Sequence, residues 1–238
     1  MEIKNTKDCA NARLNAVVYA PSKFGKSSLS GTLTGKTLII SLESGLLAIK
    51  NKSIDFVEVK DGVDSDGKQL PPKIKQIENI CAELQKGVDY ENIFFDSLTE
   101  IAEIFLEDSE KAFPGAGQTF QKFGHYGKRL KAFIKFTRDL SRYNIWFSCL
   151  MKTDTDNTGL KFHVPDVAGS MSTKLPQFFD LIMSIKIFTK EDEEKRMLLT
   201  QATEGYLCGD RSGVLEKYEQ MDLQKIVDKI LKGEKADV

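Results

Sequence analysis

The segment Ala20-Pro21-Ser22-Lys23-Phe24-Gly25-Lys26-Ser27-Ser28 places a glycine, a lysine and two hydroxyls in succession after the apolar run Ala16–Tyr19. This is the spacing G-x-x-x-x-G-K-[ST], whose backbone N–H groups cradle phosphates. Its lysine reaches the β- and γ-phosphates, and its hydroxyl binds Mg²⁺. Lys26 would neutralise phosphate charge, Ser27 would ligate the metal, and the N–H groups from Ser22 to Ser28 would hold the phosphates. Ala20 stands where the motif has its first glycine. It gives up a residue free to take positive φ, and Pro21 confines it to extended geometry. A helix beginning near Ser27 and running to Leu33 would add positive partial charge at the phosphate position. The plainer reading is a strand–turn–helix corner with a surface lysine.

ATP hydrolysis at such a loop needs two acids, one for the metal and one for the attacking water. Ile93-Phe94-Phe95-Asp96-Ser97 is an apolar strand ending in a carboxylate, which fits the metal role. The competing reading makes Asp96 the N-cap of the helix that follows. Thr37-Leu38-Ile39-Ile40-Ser41-Leu42-Glu43 supplies the second acid at another strand end. Glu43 could instead sit in a helix start, where the dipole favours a carboxylate.

The elements that must position these groups follow from the hydrophobic pattern. Apolar runs at Leu14–Tyr19, Thr37–Leu42, Phe56–Val59, Ile93–Phe95, Ile145–Leu150, Leu181–Phe188 and Met197–Thr200 alternate with helical patterns. That alternation predicts an α/β fold with a mostly parallel central sheet and helices on both faces. Such a sheet binds ligands at the carboxyl ends of its strands. Asp61–Pro72 reads as a surface loop and Lys190–Lys195 as a hairpin tip. Leu223, Ile226, Val227 and Ile230 recur at helical spacing and predict a docked terminal helix. The expected division is an N-terminal segment 1–12, one ATPase domain 13–232 and a frayed tail 233–238.

A chain of 238 residues is long enough to bury a core unaided. A net charge of −1 argues against a generally basic coat for nucleic acid, while leaving room for a local basic track. Cys9, Cys81, Cys149 and Cys208 lack C-x-x-C spacing and read as reduced thiols, and His125 and His163 are too isolated for a metal cluster. No run has membrane-spanning length and the first residues lack an apolar signal core, so a cytoplasmic location and no membrane partner are expected.

The order strand–GK[ST], strand–Glu43, strand–Asp96-Ser97 resembles the RecA-like ATPases. Ile40-Ser41-Leu42-Glu43-Ser44-Gly45-Leu46 is similar to the segment carrying their catalytic glutamate, and Phe95-Asp96-Ser97-Leu98 to their Walker B strand. The chain looks most like the compact phage-encoded members, including the Sak-type single-strand annealing proteins. The resemblance implies a RecA-like core, ATP and Mg²⁺ as cofactors, and Glu43 positioning the attacking water. It implies single-stranded DNA, further copies of the chain in a ring or filament, and a single-strand binding protein as partners.

Two DNA-contacting loops are implied at Phe113–Gly124 and Lys152–Lys174. The candidate contacts there are Phe120, Lys122, Phe123, Lys161 and Lys174. Stacking on aromatic rings beside cations suits single strands. On the helical pattern from Tyr126 to Arg142, Lys128, Lys131, Lys135 and Arg138 share one face, either as a phosphate-tracking stripe or as an ordinary solvated face. In this family a basic finger from the neighbouring subunit completes the site. Arg211 in Cys208-Gly209-Asp210-Arg211 matches it, with Gly209 in place of a lysine. Leu150 stands where the family carries a Gln or His that senses the γ-phosphate. Readings without DNA remain open: an ATP-dependent switch or assembly protein, a small-molecule kinase, or a structural protein that does not hydrolyse ATP.

Overall fold

The computed structural model describes residues 13–43, 45–190, 193–203 and 205–233. Its centre is a sheet ordered β10-β8-β7-β1-β5-β4-β2-β3. The strands of its parallel part are β1 (Asn15–Ala20), β2 (Thr37–Ser41), β3 (Asp55–Glu58), β4 (Asn92–Asp96), β5 (Asn144–Thr155) and β7 (Leu181–Lys190). All neighbouring pairs among these six are parallel. β8 (Glu193–Leu199) and β10 (Tyr218–Glu219) add antiparallel strands at one end. β6 (Lys161–Pro165) and β9 (Gly209–Asp210) pair antiparallel with β5 and β7.

β1, β2 and β4 are buried at every position. Their near-continuous apolar runs are what a parallel strand covered on both faces requires. Three helices, α1 (Lys73–Lys86), α2 (Leu98–Ala112) and α3 (Thr119–Arg138), close one face over a core that includes Phe95, Phe133, Phe147 and Tyr126. The opposite face is closed by 3-10 turns at Ser27–Thr32 and Leu46–Ile49 and by α5 (Leu223–Val227), around Leu29, Ile49, Phe94, Leu223 and Ile226. The predicted α/β class and its parallel sheet are therefore what the chain adopts.

Three local expectations need correction. The segment after the phosphate loop is a six-residue 3-10 helix, so it offers little of a helix dipole. Lys152–Lys174 is not a loop, because β5 continues to Thr155 and turns back into β6. β-branched Thr153, Thr155 and Val164 suit that ladder. Its turn is closed by Asp156, whose Oδ1 accepts from the Thr158 and Leu160 N–H groups, with Gly159 at φ 84°. A short α4 (Met171–Lys174) follows.

Most of Phe113–Gly124 is likewise ordered, since α3 begins at Thr119. Gly124 and Gly127 weaken that helix by about 1 kcal/mol each. Burial of Tyr126, Leu130, Phe133 and Ile134 on its inner face opposes this. The terminal helix is α5 followed by a π-helical turn at Asp228–Lys232. Residues 1–12, with Cys9, and 234–238 lie outside the described residues, as do Glu191 and Asp192 of the expected hairpin tip.

Candidate nucleotide site

Three chain segments meet at the carboxyl end of the parallel sheet: the loop after β1, Glu43 after β2, and Asp96 at the end of β4. β5 runs between β1 and β4. The loop's special backbone lies at Lys23 (φ 64°) and Gly25 (φ 96°). Ala20 is still in β1, paired with Leu150, so nothing there requires a glycine. Gly25 is followed by Lys26 in the right-handed region (φ −55°, ψ −54°). Such a change of hand turns successive N–H groups toward one side and makes an anion nest.

Lys26 is buried, with 6% of its surface exposed. Its amine donates to the carbonyls of Ala20 (3.2 Å) and Pro21 (3.0 Å), so without a nucleotide it is held by its own loop. Burial pushes its pKa down, while the nearby charges of Glu43 and Asp96 push it back up. The lysine is thus a desolvated cation between two acids, a site that gains from an incoming polyphosphate.

The acids have the partners that decide between their alternative readings. Ser97, not Asp96, is the N-cap of α2, its hydroxyl accepting from the Glu100 N–H at 3.3 Å. Asp96 is 1% exposed. Its Oδ1 accepts from the Ser148 hydroxyl on β5, and its Oδ2 has no hydrogen-bond partner among the described residues. An unpaired buried carboxylate oxygen is costly and suits a cation or its water shell. Glu43 lies outside the short helix that follows, accepts from the Ser97 hydroxyl through Oε1, and is exposed to water. Gly45 lies beside Ser27, a Cβ there falling 3.9 Å from Ser27 Oγ, so the segment after Glu43 borders the loop's hydroxyl. Mg²⁺ keeps most of its waters and needs only one or two protein oxygens beside phosphates. Ser27 and Asp96 fit that requirement.

Sequence reasoning misses Ser97 and Ser148 in these roles. Ser97-Leu98-Thr99-Glu100 has the spacing of a capping box and is a signal that marks the cap. Ser148 becomes visible only through the register that sets it beside Asp96.

Leu150 is half-buried and bound through its backbone, its N–H to Thr99 Oγ1 (2.9 Å) and its carbonyl to the Asp166 N–H (2.8 Å). Arg211 lies on its own chain at the far end of the sheet. It binds Asp180 (3.1 Å) and the Gln177 carbonyl (3.0 Å), near the start of β7.

The nine candidate DNA contacts separate into groups. Phe123, Lys128, Lys131 and Lys174 line one groove of about 610 Å³ between α3 and α4, which Gly169 and Phe178 also border. Lys131 sits 5.8 Å from the Phe178 ring centroid. Phe120 is 88% exposed at the start of α3. Lys122 is paired with Glu110 (3.2 Å) and Arg138 with its neighbour Asp139 (2.7 Å). Lys135 is exposed farther along α3, and Lys161 is on the hairpin opposite Thr155. These last five residues lie outside the groove, so the structure does not bring all nine into one surface.

A family model described as an AAA domain matches residues 12–212. The chain belongs to the AAA domain family. Nucleotide binding at the phosphate loop, with the ATPase class that this implies, agrees with the geometry above. No curated protein matches the chain. Among solved structures it is similar to the flagellar accessory protein FlaH from Methanocaldococcus jannaschii. That similarity has 13% identity and a TM-score of 0.44 over 90% of this chain and 89% of that one. Among the described residues no helix is long and apolar enough to cross a membrane.

Proposed function

We propose that this AAA-domain chain is a RecA-like, phage-type ATPase that hydrolyses ATP and binds single-stranded DNA, in annealing or recombination, as a ring or filament of its own copies. The observation that carries the ATPase part is the meeting of Lys26, Ser27, Glu43 and Asp96 at one end of the sheet. Lys26 exchanges its two loop carbonyls for β- and γ-phosphate oxygens. Ser27 and Asp96 would hold Mg²⁺, which when bound supplies neutralisation of phosphate charge. Glu43, accessible to water and held by Ser97, orients the attacking water and takes its proton. Electrostatic positioning of this kind is most of what phosphoryl transfer asks of a protein. Arg211 of a neighbouring copy is proposed as the cation that completes the site, because in its own chain it lies far from the loop.

What supports the DNA part is the groove. Lys128, Lys131 and Lys174 surround Phe123 there, and Phe120 is exposed on the same helix. Cations beside exposed rings hold single strands through phosphate contacts and stacking. A single-strand binding protein is proposed as a further partner through the shared DNA.

Filter binding of single-stranded DNA, with and without ATP and over a range of salt, tests the DNA part. Binding should weaken steeply with salt. Replacing Lys128, Lys131 and Lys174 together by Ala should lower the slope of log K against log salt by about 2, at roughly 0.7 for each phosphate no longer neutralised. Absence of binding at any salt, with ATP turnover intact, would favour an ATP-driven assembly protein without DNA. The apolar Leu150 speaks for that reading.

A further inference from the structure

The β7–β8 hairpin overhangs the phosphate loop. Tyr19 near the end of β1 is level with Ser184 of β7. Ile187, three residues later, pairs with Arg196 of β8. At about 3.3 Å per residue this carries Arg196 roughly 10 Å beyond Tyr19, to the height of the loop that begins after Ala20. The side chain points at that loop. Its guanidinium carbon is 5.4 Å from the centroid of the Phe24 ring, and Nη1 lies 3.7 Å from where a Cβ on Gly25 would be.

Among the described residues nothing else accounts for this arginine. It is exposed, and among the described residues no carboxylate lies within ion-pair distance of it. The contrast is with Arg129, Arg138 and Arg211, each paired with at least one acid. Phe24 is half-buried, and an exposed cation resting on such a ring with no ion pair is weakly held. Beside it is Gly25, which directly precedes Lys26 and Ser27. What reaches Gly25 therefore reaches the phosphate end of a nucleotide and not its base.

We propose that Arg196 is a nucleotide-contacting residue supplied by the chain itself: its guanidinium leaves Phe24 and binds phosphate oxygens at the mouth of the loop. This rests on reading the loop as a nucleotide site. Guanidinium suits the task because its planar fork matches two phosphate oxygens at once and it stays charged at every working pH. Phe24 then serves as the resting place of a cation waiting for its anion. The sequence gives little sign of it, because Arg196 falls between the hairpin tip read at Lys190–Lys195 and the apolar run that starts at Met197.

Calorimetric titration of ATP into the wild type, Arg196→Gln and Arg196→Lys, at low and high salt, tests the proposal. The unfolding midpoint of each without nucleotide is measured alongside. Arg196→Gln should bind ATP roughly 10–100-fold more weakly, the range for losing hydrogen bonds to a charged group. Its affinity should depend less on salt, and its midpoint without nucleotide should not change. Arg196→Lys should recover part of the loss. Wild-type affinity in Arg196→Gln overturns the proposal, as does a loss matched by a fall in the midpoint. A wild-type chain that binds no ATP overturns the nucleotide reading as well, so the two failures are distinguishable.

Discussion

Glu43→Gln should leave ATP bound about as tightly as in the wild type and reduce turnover by roughly 10²–10⁴-fold, the usual contribution of a positioned general base. The substitution keeps size and keeps an oxygen able to accept from the Ser97 hydroxyl, so the side chain should stay in place. What it removes is the negative charge and the capacity to take a proton from water. Affinity should not suffer, because in the proposed role Glu43 would face the attacking water, and its negative charge repels phosphate. Removing a negative charge next to Lys26 should, if anything, tighten binding.

The measurement is a pair of numbers, a nucleotide dissociation constant and a single-turnover rate. Unchanged turnover would remove Glu43 from its role. A loss of affinity as large as the loss of rate would make it a structural residue. Asp96→Asn gives a useful contrast, because Asp96 is held by Ser148 through one oxygen and has the other without a partner. Its loss should appear as a higher magnesium requirement, which Glu43→Gln should not share.

How much of this is legible in the sequence depends on the length scale of each signal. The buried strands β1, β2 and β4 are short apolar runs whose burial on both faces leaves no other reading, and the loop motif is contiguous in sequence. Glu43 and Asp96 can be placed because each ends such a run. The choice between metal ligand and helix cap cannot be made there, since both predict a carboxylate just before a helix. Ser97 taking the cap removes the cap reading of Asp96 and leaves the metal role to be tested by substitution.

The lysine stripe is visible as a helical face. That Lys174 joins Lys128 and Lys131, while Lys161 does not, depends on Lys152–Lys174 folding as a hairpin and a short helix. Glycines and aspartates there suggest an open loop, and the Asp156–Gly159 turn shows how the same residues close a β-ladder instead. The start of α3 misleads for a related reason. Gly115, Gly117 and Gly124 read together as loop, but the helix already starts at Thr119, and packing of its aromatic inner face outweighs the helix penalty of Gly124 and Gly127.

Lys26→Met should show that the loop trades stability for binding. In the folded chain burial lowers the lysine's pKa below its ordinary 10.5, with only partial compensation from Glu43 and Asp96. Between the folded and the unfolded pKa the unfolded chain holds the proton that the folded chain has given up, so stability rises with pH across that window. Below it both states carry the charge, and the folded state bears the full cost of burying it. Where both states carry the charge, Met should therefore make the nucleotide-free protein at least as stable as the wild type, with a similar chain length and no charge to desolvate. The rise in stability toward alkaline pH should also flatten.

Nucleotide binding should go the other way. The amine can no longer exchange the Ala20 and Pro21 carbonyls for phosphate oxygens, and affinity should fall by at least about 100-fold, the upper range for a hydrogen bond to a charged group. Saturating ATP raises a binding protein's stability by RT ln(1 + [L]/Kd), so the shift in unfolding midpoint that ATP gives the wild type should nearly vanish in the variant. Thermal unfolding with and without ATP at two pH values reads both effects in one experiment. A variant less stable than the wild type without nucleotide would show that the two carbonyl contacts outweigh the cost of burying the charge. An undiminished ATP-induced shift would remove Lys26 from the phosphates.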